Sequence, residues 1–118
     1  GPQGISQKAR DVELQPGMII SNEPGYYLDG EYGIRVESLV IVEPRPDHGD
    51  TGSGREWYGF ETITLCPIDR ELIDCSLLSR DELAWLDDYH ARVRETLSPH
   101  LDDGERAWLE AATEPLPA

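Results

Sequence analysis

A chain of 118 residues makes one modest domain or a piece of a larger one. Its net charge of −14 speaks against nucleic acid and anionic membrane surfaces, whose phosphates call for a surplus of Lys and Arg. With a hydrophobic share of 38% and a charged share of 29%, a core has to come from apolar residues clustered in sequence, and the acidity reads as a solvated surface.

The first local signal is Gln15-Pro16-Gly17, a turn signature, followed by an apolar-led strand from Met18 to Asn22. Asp29-Gly30 sits at the centre of Tyr26 to Tyr32 and predicts a hairpin. A β-branched run from Ile34 to Val42 predicts a second strand, and Tyr58 to Leu65 a third. Between them, Glu43 to Glu56 is dense in Pro, Gly and Asp and reads as a surface loop. Cys66 and Cys75 form no C-x-x-C pair and lie among apolar residues, so they read as buried free thiols suited to a reducing cytoplasm.

Two helices close the chain. Ser79 with Glu82, and Asp102 with Glu105, are capping boxes. Leu83, Leu86, His90, Val93 and Leu97 form an apolar stripe along the first helix, and the second carries Ala107, Trp108 and Ala111 before Pro115. Strands followed by segregated helices imply an α+β architecture that divides near Ile73, into residues 1–72 and 73–118. There is no run of about 18 apolar residues, and no basic stretch leading into an apolar one from Gly1, so neither a membrane span nor an export signal is expected.

The hairpin holds the candidate chemistry. If Asp29 to Glu31 form a three-residue loop, Glu23 and Glu37 face each other across the strands; a two-residue loop, or a bulge at Pro24-Gly25, shifts that register. Facing carboxylates repel and destabilise a sheet, a cost that a shared divalent cation removes. Arg35 lies two residues from Glu37 and projects from the same face, while Ile34, Val36, Val40 and Val42 take the other. On a buried face, a carboxylate beside Arg35 stays ionised, as a ligand must. Spacing alone does not separate this reading from two solvent-facing glutamates.

The wording of the segment adds a family resemblance. Asn22-Glu23-Pro24-Gly25-Tyr26-Tyr27 and Gly33-Ile34-Arg35-Val36-Glu37-Ser38-Leu39-Val40 resemble the Xaa-Pro aminopeptidases, which are metallopeptidases of the pita-bread fold. The likeness runs from Gly1-Pro2-Gln3-Gly4-Ile5-Ser6 through Leu14 to Met18, Tyr58 to Thr62 and Leu65 to Asp69, and into the tail at Trp85-Leu86, Tyr89-His90 and Trp108-Leu109. It implies that the chain is the C-terminal part of such an enzyme: residues 1–72 as part of the catalytic domain, residues 73–118 as a helical extension. In the family two metal ions are held by two aspartates, one histidine and two glutamates. The resemblance maps Glu23 and Glu37 onto the two glutamates, with Glu23 also credited with general-base work. Arg35 and Tyr27 match residues of a supporting hydrogen-bond network. The implied reaction is hydrolysis of the first peptide bond of a substrate with proline second, with water activated at a two-metal centre, Mn2+ being the favoured ion.

Three of the five ligands have no counterpart here, since only 22 residues precede Glu23. They are expected in an upstream remainder of the same enzyme, and the piece alone is expected to be inactive. His48, His90 and His100 read as structural or solvent-facing, and Trp57, Trp85 and Trp108 as packing anchors. The family also implies a cytoplasmic enzyme and a homodimer aided by the C-terminal helices. The alternatives are a prolidase-like dipeptidase and a non-catalytic protein-binding module of the same fold, and the retention of Glu23 and Glu37 favours an enzyme.

Overall fold

The computed structural model describes residues 4–5, 11–48 and 54–117. Parts of two predicted features therefore lie outside the described residues: the Gly1-to-Ser6 motif apart from residues 4–5, and residues 49–53 of the loop. The chain separates into two compact units, one ending at Thr64 and the other spanning Leu65–Ala118. That boundary falls before the 72/73 division expected from composition, because Leu65, Ile68 and Ile73 already pack on the helical core.

In the first unit β1 (Ile19–Asn22), β4 (Ser38–Pro44) and β5 (Tyr58–Thr62) form an antiparallel sheet in the order β1-β4-β5. The strands β2 (Gly25–Leu28) and β3 (Tyr32–Arg35) form a two-stranded sheet of their own. Gln15 to Met18 makes a turn closed by Met18 N–H to Gln15 C=O at 3.1 Å, with Pro16 second and Gly17 third at φ 86°. This is the type II geometry that the sequence signature calls for. Gly17 also donates to Val42 C=O while Val42 donates to Met18 C=O, so two residues oppose one and the glycine acts as a bulge at the start of β1. Ile20, Val40 and Val42 are the buried core, with Leu14 and Met18 packed against them.

The predicted single strand from Ile34 to Val42 is two strands, β3 and β4, interrupted at Val36-Glu37. Pro24 is the cause. Val36 N–H donates to Pro24 C=O at 3.2 Å, but proline has no N–H to return the second bond of that pair. The ladder is broken there without a change of register. Pairs on both sides sum to 60: Ile19 with Ile41 and Asn22 with Ser38 before the break, Gly25 with Arg35 and Leu28 with Tyr32 after it. The loop from Asp29 to Glu31 has three residues, with Glu31 N–H to Leu28 C=O at 3.0 Å and Gly30 at φ 76°.

In the second unit α1 (Arg80–Leu97) and α2 (Asp103–Ala112) start at complete capping boxes, Ser79 with Glu82 and Asp102 with Glu105. Leu86, Tyr89, Val93, Leu109 and Leu116 are its buried apolar core. The face of α2 that enters this core is the one carrying Leu109, while Ala107, Trp108 and Ala111 are exposed. Tyr89 Oη donates to Cys66 C=O at 2.9 Å, and His90 Nε2 accepts from Ile68 N–H at 3.0 Å. Two α1 side chains thus satisfy an extended segment that has no strand partner. Arg70 donates to the carbonyls of Ala111 and Pro115, Arg94 to that of Thr113, and Asp87 accepts from Leu116 N–H at 2.9 Å. Asp87 is therefore a tether for the tail rather than part of a solvated acidic face.

Two further expectations are corrected. Cys66 is exposed and Cys75 half-buried, both as free thiols, because the extended segment that carries Cys66 packs only one side on α1. Trp57, Trp85 and Trp108 are 44%, 55% and 65% exposed, so none is a packing anchor within this chain. Trp85 lies at the rim of its core, stacked parallel on Tyr89 with ring centroids 5.6 Å apart.

Candidate metal centre

Continuing the register across the break sets Glu23 opposite Glu37, Gly25 opposite Arg35 and Tyr27 opposite Gly33. Alternation along the strands puts all six on one face of the hairpin. The hydrogen-bonded pair at Pro24 and Val36 makes its neighbours on either side the non-hydrogen-bonded kind, in which facing side chains approach most closely. Glu23 and Glu37 occupy such a pair.

Arg35 is the hub of this face. Its Nε lies 3.1 Å from Glu37 Oε2. The Glu37 carboxylate foremost, then Tyr27, and then Glu23 all hold the guanidinium's proton more tightly than usual. The four residues singled out in the sequence, Glu23, Tyr27, Arg35 and Glu37, are therefore brought together.

Their burial differs from expectation. The side chains of Arg35 and Glu37 are 49% and 44% exposed, and Ile34 and Val36 on the opposite face are each 46% exposed. Only the part of that face on β1 and β4 is covered, at Ile20, Val40 and Val42. An ion pair this exposed contributes little to stability on its own, and its geometry is better viewed as orientation of Glu37.

The donor set suits a hard divalent ion, since both candidates offer carboxylate oxygen and neither is used as a helix cap. It is also incomplete: among the described residues no group of three or more His, Cys, Asp or Glu could hold a metal. The histidines lie elsewhere. His48 and His100 are exposed at the ends of short 3-10 turns, and His90 is fully buried in the helical core.

Sequence reasoning missed the glycines of this face. At Gly33 an added Cβ would sit 2.7 Å from Tyr27 Cδ1, and at Gly25 one would sit 2.8 Å from Tyr27 Oη. The available signal was the cross-strand register, which places an aromatic residue opposite a glycine.

Fold and motif together define a pita-bread metallopeptidase segment, and comparison with known proteins agrees. A model of the C-terminal region of peptidase M24 matches residues 56–116, and one of metallopeptidase family M24 matches residues 1–44. The chain belongs to the M24 metallopeptidases and carries their C-terminal region. Among its relatives are an aminopeptidase P1 from Lotus japonicus, 47% identical, and a probable Xaa-Pro aminopeptidase P from Coprinopsis cinerea, 46% identical. Each alignment covers 98% of this chain but only 18% and 19% of those proteins, respectively. The chain thus spans about a fifth of the relatives it matches. Its structure is similar to that of an X-prolyl aminopeptidase from Caenorhabditis elegans, described as a cytosolic enzyme with a di-nuclear active site. That match has a TM-score of 0.82 at 32% identity, covering 98% of this chain and 19% of the other.

Proposed function

We propose that this chain supplies two carboxylate ligands, Glu23 and Glu37, to the dinuclear centre of an aminopeptidase that cleaves the N-terminal Xaa-Pro bond. The observation that carries the reading is the unbroken register through Pro24, which sets the two glutamates opposite one another beside Arg35. A pair of divalent ions would supply Lewis acidity and water activation there. The chain's own residues do the rest. In this reading Glu23 would take a proton from the attacking water, and Arg35 would fix the carboxylate of Glu37 while Tyr27 steadies Arg35.

Mn2+ is the proposed metal, supported by the all-oxygen character of the two donors. The remaining ligands belong to the rest of the same enzyme, so the chain by itself is proposed to be inactive. The proposed substrate is a peptide with proline in second position, as the names of the relatives suggest. A cytoplasmic setting is supported by the free thiols and by the cytosolic neighbour, and no described helix is long and apolar enough to cross a membrane. A homodimer is proposed on the family resemblance alone, and the division at 72/73 is kept as a functional one between catalytic and helical parts.

The test is metal content and Xaa-Pro cleavage of the full-length protein beside its Glu37→Gln variant. The wild type is expected to hold two ions per chain and to cleave, and the variant to lose both metal and activity. Normal cleavage by the variant would sink the assignment. Metal-free, inactive wild-type protein would favour the non-catalytic binding module.

A further inference from the structure

Gly25 and Gly33 have negative φ, so neither is required for a left-handed backbone, and their lack of a side chain calls for another reason. The space above them gives it. An added Cβ at Gly33 would meet Tyr27 Cδ1 at 2.7 Å and Cε1 at 3.1 Å, and one at Gly25 would meet Tyr27 Oη at 2.8 Å and Cε2 at 2.9 Å. Contacts under 3.0 Å between such atoms force something to move. The ring of Tyr27 therefore lies flat on the sheet. It crosses the bare backbone of Gly33, its own cross-strand partner, and runs back towards Gly25, the partner of Arg35. This course brings the phenol oxygen over Gly25, directly across the strands from Arg35, whose guanidinium it helps to keep protonated. Arg35 in turn holds Glu37 at 3.1 Å.

We infer that Gly25 and Gly33 are positioning residues for the metal site: they form a trough that holds the Tyr27 ring flat, so that its hydroxyl fixes Arg35 and, through it, the carboxylate of Glu37. The inference rests on the reading of Glu37 as a ligand. A side chain at either glycine lifts the ring off the sheet, withdraws the hydroxyl from Arg35, and frees the guanidinium and Glu37 to sample other rotamers. Loosely held ligands bind metal more weakly, and outer partners of this kind typically change affinity by about 10- to 100-fold. Exposure makes the device more useful, because on a face where Arg35 is 49% and Glu37 44% exposed, packing does little to fix either one.

Gly33 is the cleaner position to test. Besides the ring, the next atom its added Cβ would meet is Tyr26 C=O, at a comfortable 3.8 Å, whereas at Gly25 it would also meet the backbone oxygen of Ile34 at 3.0 Å. The experiment is a double-mutant cycle in the full-length enzyme with Gly33→Ala, Tyr27→Phe and both, reading the Mn2+ dissociation constant, kcat/KM on an Xaa-Pro peptide, and the unfolding midpoint. Each single change is expected to weaken Mn2+ binding by about 10-fold, and the double variant to be no weaker than either single one, because with the hydroxyl gone the tilt of the ring no longer reaches Arg35. A steric cost to folding alone would persist in the Tyr27→Phe background and show in the unfolding midpoint instead. Multiplying losses in the double variant, or unchanged Mn2+ affinity in Gly33→Ala, overturns the inference. Glu37→Gln is measured in parallel. If it abolishes metal binding while Gly33→Ala does not affect it, only the trough is wrong; if Glu37→Gln leaves binding intact, the ligand reading falls and the trough with it.

Discussion

The two units of this chain use their polar side chains in opposite ways. From Leu65 onward several strong donors and acceptors are turned on the chain's own backbone. Tyr89 and His90 serve Cys66 and Ile68, Arg70 and Arg94 serve the end of α2 and the tail, and Asp87 holds Leu116. In the hairpin, Glu23, Tyr27, Arg35 and Glu37 interact mainly with one another and remain open to solvent. A polar group committed to a backbone partner stabilises a fold, whereas a preorganised cluster with unused carboxylate oxygens is equipped to take a ligand. The first unit accordingly carries the open polar cluster, and the second uses these side chains to hold its own backbone.

That contrast breaks most sharply at Glu37. Its replacement by Gln is expected to reduce Xaa-Pro cleavage by more than about 100-fold, above the range of outer partners, with little change in the unfolding midpoint measured on metal-free protein. A comparable loss of stability would mean that the hairpin carboxylate is structural after all. The mirror experiment is Leu109→Ala, at a residue only 1% exposed. It is expected to cost about 2–5 kcal/mol in denaturant unfolding, through lost burial and the cavity left behind, with metal affinity intact in the protein that remains folded.

Smaller effects sharpen the comparison. Arg35→Lys keeps the charge but loses the fork that reaches both Tyr27 and Glu37, and a drop of about 10-fold in kcat/KM is expected, measured on the same peptide. Ser79→Ala removes the cap of α1 and should cost about 1 kcal/mol of stability without touching activity. The last effect is confined to acid. Burial foremost, and the nearby charge of Arg70, lower the pKa of His90 below its ordinary 6.5; Arg94 adds to this and Asp87 opposes it. A folded-state value below the unfolded one means that the contribution is present above the unfolded pKa and is lost as pH falls through the folded value. Protonation also turns the Nε2 acceptor of Ile68 N–H into a donor. Unfolding midpoints should therefore decline as pH falls below about 6.5, and this decline should be absent in His90→Gln.

Much of the site was legible from the hairpin sequence. Asp29-Gly30 marked the hairpin, and of the registers it allowed the three-residue loop is the one the structure has, which sets Glu23 against Glu37 and Arg35 on their face. The interruption at Val36-Glu37 was also implicit, because Pro24 lacks the N–H its partner needs. Less was legible where burial decides. Trp108 and Leu109 are neighbours of similar hydrophobicity, yet only Leu109 enters the core, since a rotation of about 100° per residue separates their directions and the approach of α1 selects one of them. The exposure of Cys66 and the role of His90 depend likewise on which side of the extended segment meets α1.

By itself the sequence determined what is local in origin, the turns at Pro16-Gly17 and Asp29-Gly30 and both capping boxes, and it offered the register with facing glutamates as one of several the loop allowed. Each follows from backbone dihedrals or hydrogen bonds within a few residues, or from a strand period that needs no knowledge of the surroundings. Only the tertiary structure decided which faces are covered, where the two units divide, and that the Tyr27 ring lies on Gly33 and Gly25 rather than standing away from the sheet. Those depend on the volumes that neighbouring side chains leave free, a property of residues distant in sequence that no local pattern encodes.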